Sequence, residues 1–154
     1  MINVNDKAPE FNILTDIGNF SLKENLGKNI ILFFFPKADT TGCTKQAKSF
    51  SDFKNEYDNL NTLIIGISRD NQLKQIKFKE KYGLTCILGS DIDNEVCTKY
   101  NVWVEKSMYG KKYMGIQRST FLIDKNGLVS YKWDKVKIPG HAEDVLQKVK
   151  DLQI

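Results

Sequence analysis

The sequence predicts an α/β fold, a central mixed β-sheet with helices on both faces. Three observations lead there. Residues 29–35, Asn-Ile-Ile-Leu-Phe-Phe-Phe, form an apolar run without alternation, as in a central strand buried on both sides. Strand-like and helix-like segments alternate after it as far as residue 100. Lys125-Asn126-Gly127 is a hairpin signal, which closes the sheet with an antiparallel pair. At 154 residues the chain is expected to form one domain, 1–154, with a sizeable core.

From the N-terminus, Asn3 to Phe11 reads as an extended arm containing Pro9. Phe11 to Leu14 and Asn19 to Leu22 flank Asp16-Ile17-Gly18 as a hairpin. The central strand, 29–35, ends at Pro36. A polar loop, Lys37 to Thr41, then leads into a helix expected over 42–57, because Ala47, Phe50, Phe53, Tyr57 and Leu60 follow helical spacing. Residues 62–68 are a second buried strand, 71–82 a helix stopped by Gly83, and 85–88 a short strand. A short helix over 93–100 pairs Val96 with Tyr100 at i,i+4. A loop precedes Arg118, and strands over 117–123 and 128–133 make the closing hairpin. The last helix starts near Ala142 and sets Val145, Val149 and Leu152 on one face. The turn after the first central strand lies at a carboxyl edge, where open α/β sheets place their chemistry.

Composition excludes several classes. With 41% hydrophobic and 27% charged residues the chain is neither disordered nor a coiled coil. Its net charge of +4 is spread along the sequence, so nucleic-acid binding is not expected. The longest apolar run, six residues, falls short of the roughly 20 that a transmembrane helix needs. No membrane association is expected, and Met1 to Phe11 lacks the pattern of a signal peptide. Cys43, Cys86 and Cys97 form no CxxC pair, and with a single histidine their spacing does not suit a zinc site. Neither metal nor cofactor is expected, and the default compartment is the reducing cytoplasm.

The informative stretch is Pro36-Lys37-Ala38-Asp39-Thr40-Thr41-Gly42-Cys43-Thr44, between the most buried strand and an amphipathic helix. Thr41 is the expected N-cap, which puts Cys43 in the first helical turn. Free N–H groups and the positive end of the helix dipole favour thiolate over thiol there. An average cysteine is a small core residue; the polar loop and helix start argue instead for an activated nucleophile. Arg118 also stands out, as one of only two arginines (with Arg69) against a background of lysine. His141, ahead of the last helix, is expected to cap it or lie at the surface. The run Lys77-Phe78-Lys79-Glu80-Lys81 reads as a solvated helix face.

The PxxxTxxC pattern within Phe35 to Thr44 resembles the active-site signature of peroxiredoxins, and Pro36-Lys37 with Gly42-Cys43-Thr44-Lys45 resembles the Q type, or bacterioferritin comigratory protein. Gly66-Ile67-Ser68, Lys81-Tyr82-Gly83, Ser90-Asp91, Val102 to Lys106 and Met114 to Asp124 agree in order along the whole chain. The resemblance implies a thioredoxin-like fold and reduction of hydrogen peroxide and organic hydroperoxides, in antioxidant defence. It makes Cys43 the peroxidatic nucleophile and gives Thr40 a hydrogen bond to the peroxide. Pro36 would shield the pocket, and Arg118 would hold the thiolate and the peroxide oxygens. An arginine suits that role because its fixed fork of donors can serve both ends of the reaction. Trp103, Met108, Tyr109, Tyr113 and Met114 are expected to rim the pocket or to pack on the sheet.

The product would be a cysteine sulfenic acid, which another thiol must reduce before overoxidation. Here the chain departs from the family pattern: the usual resolving position, five residues on, holds Lys48, and the alternative one aligns with Lys79. Cys86 and Cys97 read as buried, so the expected resolver is external, thioredoxin by family or glutaredoxin or glutathione by the missing cysteine. A monomer is expected. A thiol–disulfide oxidoreductase would need a vicinal CxxC, and a non-enzymatic scaffold would not need Thr40 and Arg118 together.

Overall fold

The computed structural model describes residues 1–152. Its main sheet contains β1 (Asn12–Thr15), β2 (Gly18–Ser21), β3 (Asn29–Phe34), β4 (Thr62–Ser68), β5 (Ile87–Ser90), β8 (Ser119–Ile123) and β9 (Val129–Trp133). They lie in the order β2-β1-β5-β4-β3-β8-β9. β3 pairs in parallel with β4 and antiparallel with β8, and β4 is parallel to β5, so the sheet is mixed as the sequence predicts. All six residues of β3 are buried. Ile30, Leu32 and Phe34 enter one core and Ile31, Phe33 and Phe35 the other. Each such side chain contributes about 1.5–3 kcal/mol.

The helices divide unequally between the faces. α1 (Thr41–Asp52), α2 (Lys54–Asn59), α3 (Gln72–Tyr82) and α5 (His141–Leu152) supply Ala47, Tyr57, Phe78 and Val145 to the core that holds Phe33. The other face is covered by the five-residue α4 (Glu95–Lys99), the N-terminal arm, Tyr100 and Val102.

Four departures from the sequence expectation have a clear physical reason. The helix expected over 42–57 is broken at Phe53, whose N–H turns back to Phe50 O at 3.2 Å. Just before the break Ser51 Oγ donates to Ala47 O (2.8 Å) and accepts Thr85 N–H (3.0 Å), a back-bond of the kind that bends helices. The helix starts at Thr41 with Thr40, not Thr41, as its N-cap residue. β5 runs two residues later than expected because Gly89 and Ser90 pair with β4 and β1, which leaves Cys86 before the strand. The loop expected before Arg118 is a hairpin, β6 (Trp103–Met108) with β7 (Lys111–Ile116), turned by Tyr109 and Gly110, both at positive φ.

His141 is neither a surface residue nor a simple cap. It is buried, its Nε2 lies 2.8 Å from Thr120 Oγ1, and Phe50 and Trp133 meet its ring edge to face. Burial pulls its pKa down to about 4; Asp144 and Glu143 oppose the shift and Arg118 adds to it. An unfolded histidine titrates near 6.5. Between those values the unfolded chain binds the extra proton, so the full contribution is present above pH 6.5 and is lost as pH falls to 4. The expected loss is up to about 3 kcal/mol. Urea unfolding at pH 7.5, 6 and 4.5 checks it: His141→Gln, whose amide can donate to or accept from Thr120 but cannot titrate, should lose less stability over this range than the wild type.

Candidate active site

β3 ends in the core and delivers the chain, through half-buried Pro36, to the loop that precedes α1. Cys43 is the third residue of that helix and is only 2% exposed, packed in the core that also holds Phe33, Ala47 and Phe50. Thr40 is extended (φ −96°, ψ 158°) and its carbonyl accepts Thr44 N–H at 2.9 Å. Its hydroxyl does not cap the helix; it donates to Lys37 O at 2.8 Å and lies at the surface.

Arg118 immediately precedes β8, the strand beside β3, and reaches back across the sheet edge. Its Nη2 donates to Cys43 Sγ at 3.3 Å and its Nη1 to Gln46 Oε1 at 2.6 Å. The fork therefore spans one turn of α1, which fixes both the ring of donors and the helix start. Gln46 is fully buried, and its Nε2 has no hydrogen-bond partner among the described residues. Sequence reasoning missed Gln46, although its position three residues after Cys43 puts the two on one helical face. The second arginine is committed elsewhere: Arg69 stacks over Trp103 at 4.9 Å.

The β6–β7 hairpin brings Lys106 into this neighbourhood. Lys106 is half-buried, and its pKa is lowered by burial first and by Arg118 next, while Cys43 acts in the opposite sense. The aromatic and methionine residues of the hairpin behave differently from one another. Trp103 packs on the core, whereas Met108, Tyr109, Tyr113 and Met114 are exposed, Tyr109 almost completely.

The other two cysteines are remote from Arg118. Cys97 belongs to the core on the opposite face of the sheet, and its N–H donates to Asp91 Oδ2 at 2.8 Å. Burial raises its pKa first, with Asp91 adding to the effect. Cys86 shares the Cys43 face but sits beside Ser51, at the far end of α1. Ser51 lies eight positions along the helix from Cys43, about 12 Å along the axis. Burial pushes the Cys86 thiol up to about 12. Lys48 is exposed on α1, and Lys79 is tied to Asp16 in an ion pair. Among the described residues no cluster of His, Cys, Asp and Glu could hold a metal ion, and no helix is long and apolar enough to cross a membrane.

Comparison with known proteins agrees with this geometry. The sequence model of the AhpC/TSA family matches residues 4–132. Peroxiredoxin Bcp of Bacillus subtilis is 42% identical over 152 residues, covering 98% of this chain and 97% of its own. A Cys-to-Ser mutant of Xylella fastidiosa PrxQ superposes with a TM-score of 0.94 at 31% identity, over 100% of this chain and 99% of that one. The bacterioferritin comigratory protein of Xanthomonas campestris, studied for its alkyl peroxide reduction activity, gives 0.87 at 36% identity, over 92% and 90%. A thiol on the first turn of a helix, gripped by an arginine from the neighbouring strand, thus sits on the fold these proteins share, and the chain belongs to the AhpC/TSA family as a peroxiredoxin of the Q type, a thiol peroxidase.

Proposed function

We propose that Cys43 is the peroxidatic nucleophile of a one-cysteine cycle, carried on a single domain, 1–154, and completed by an external thiol. The observation that carries this reading is the 3.3 Å contact from Arg118 Nη2 to Cys43 Sγ at a helix N-terminus. The Cys43 thiolate attacks the terminal oxygen of a hydroperoxide. An S–O bond forms as the O–O bond breaks, sulfur is oxidised to sulfenic acid, and the leaving alkoxide or hydroxide takes up a proton. Arg118 offsets the charge that develops on the leaving oxygen, the kind of electrostatic stabilisation that dominates many active sites. Thr40 already donates its hydroxyl proton to Lys37 O, so its free lone pairs can accept the O–H of the substrate. Pro36, half-buried beneath the loop, limits water access.

Reduction then needs two thiols from outside the chain. The first displaces water from the sulfenic acid to form a mixed disulfide, and the second releases Cys43 as a thiol. Cys97 lies in the core across the sheet and Cys86 beside Ser51, which is about 12 Å along α1 from Cys43, whereas a disulfide needs Cα atoms within about 7 Å. Thioredoxin, or glutaredoxin or glutathione, is the donor that fits this cycle, with the protein working as a cytoplasmic monomer on hydrogen peroxide and organic hydroperoxides. Single-turnover stopped flow tests the reading. Reduced protein alone should consume one equivalent of peroxide per chain and then stop, with continuous consumption only when thioredoxin, glutaredoxin or glutathione is supplied. Sustained turnover without any thiol, or no consumption at all, contradicts it.

A further inference from the structure

Behind the loop that carries Thr40 is a concavity, a basin of about 450 Å³ between residues 37–39 and α3. Its floor is apolar, formed by buried Phe78 and half-buried Ala38. Its rim is cationic. Lys74, Lys77 and Lys81 project from one face of α3 at i, i+3 and i+7, and Lys37 stands opposite.

Of the two acids in the basin, Asp39 is paired with Lys81, while Asp70 holds neutral donors and keeps its charge, so four lysines face two carboxylates. Asp70 Oδ2 accepts Ala38 N–H at 2.8 Å and Ser68 Oγ at 2.6 Å, and Asp39 accepts from both Lys81 and Tyr82. Lys37, Lys74 and Lys77 are exposed and, among the described residues, have no carboxylate within ion-pair distance. Like charges gathered without partners are unfavourable, so the arrangement calls for an anionic occupant. The lysine run that reads in sequence as a plain solvated face is therefore divided: Lys79 turns to Asp16, while Lys77 and Lys81 edge the basin.

One wall of this basin is the segment leading directly into the first turn of α1. Cys43 is 2% exposed, so an external thiol reaches its sulfur only where that segment opens. A partner seated in the basin would be in contact with the segment that must move. We propose that the Lys37–Lys74–Lys77 basin docks the acidic face of the protein thiol that reduces oxidised Cys43. This rests on the external-thiol cycle above. Electrostatic steering by such a patch raises association rates by roughly 10- to 10³-fold and is suppressed by salt.

The test uses the full chain and the double variant Lys74→Glu/Lys77→Glu, oxidised with one equivalent of peroxide, and follows reduction of Cys43 by an acidic thioredoxin and by uncharged dithiothreitol. The expected result is a loss of about tenfold in the thioredoxin rate at low ionic strength, with a flattened salt dependence. Peroxide oxidation and dithiothreitol reduction should stay within about twofold of wild type, since neither needs protein docking. Equal thioredoxin rates and salt slopes in the two proteins overturn the docking surface and leave the external-thiol cycle standing. A parallel loss with dithiothreitol also overturns it, because the lysines would then act on the loop. If dithiothreitol reduces the wild type and no thioredoxin does, the protein-reductant reading fails and the docking surface with it.

Discussion

Cys43→Ser is expected to abolish peroxide reduction, with the second-order rate falling by at least about 10³-fold, because a hydroxyl is a weak nucleophile without an adjacent base. Arg118 can donate to serine Oγ as it does to Sγ, but it cannot make that oxygen a comparable nucleophile. No histidine takes the role of base, since His141, the chain's one histidine, faces Thr120 across the interior. The substitution replaces a buried sulfur by a polar hydroxyl, at a cost of roughly 1–3 kcal/mol moderated by the Arg118 donor. Circular dichroism and a melting curve should therefore show a folded protein with modestly lower stability. Peroxide consumption near the wild-type rate in that folded variant would remove Cys43 from the mechanism.

The second large effect is expected at Arg118. Lysine keeps the charge but not the fork, so Arg118→Lys can meet Cys43 Sγ or Gln46 Oε1 but not both in the present geometry. Loss of one charge-assisted hydrogen bond is worth roughly 1.5–3 kcal/mol. Expressed in the transition state, that is about 10- to 100-fold in the rate of Cys43 oxidation. Where the lysine keeps Cys43, Gln46 loses the partner of its Oε1, and among the described residues its Nε2 has none. Stopped-flow oxidation at saturating reductant checks it; an unchanged rate would mean that Arg118 holds the helix start without acting on the peroxide.

Much of this site was legible in the sequence because its signals are local. The uninterrupted apolar run of β3, the polar loop and the amphipathic helix place Cys43 at a helix start without reference to anything distant. Composition narrows the cation to Arg69 or Arg118 and the family resemblance selects Arg118, but neither points to its partner. That Nη1 meets Gln46, 72 positions away in sequence, depends on β8 lying beside β3. The β6–β7 hairpin is not legible in the sequence for a related reason. Its strands are largely exposed and mix Lys with Met and Tyr, so no apolar alternation marks them. Tyr109-Gly110 is also a weaker turn signal than the Asn-Gly found later in the chain. A lone histidine beside Pro139-Gly140 looks solvated in sequence, and it takes the packing of α5 on β8, β9 and Phe50 to bury His141. The Lys-rich stretch of α3 likewise needed the fold to show which ammoniums face Asp16 and which face the basin.

The central claim is that hydroperoxide oxidises Cys43 and that no cysteine of this chain resolves it. Peptide mapping under non-reducing conditions, after one equivalent of hydrogen peroxide with dimedone present, tests it most directly. The account predicts a dimedone adduct on Cys43 alone, with Cys86 and Cys97 recovered as free thiols. A dominant Cys43–Cys86 or Cys43–Cys97 disulfide peptide, or an adduct on either of those residues in place of Cys43, would contradict it.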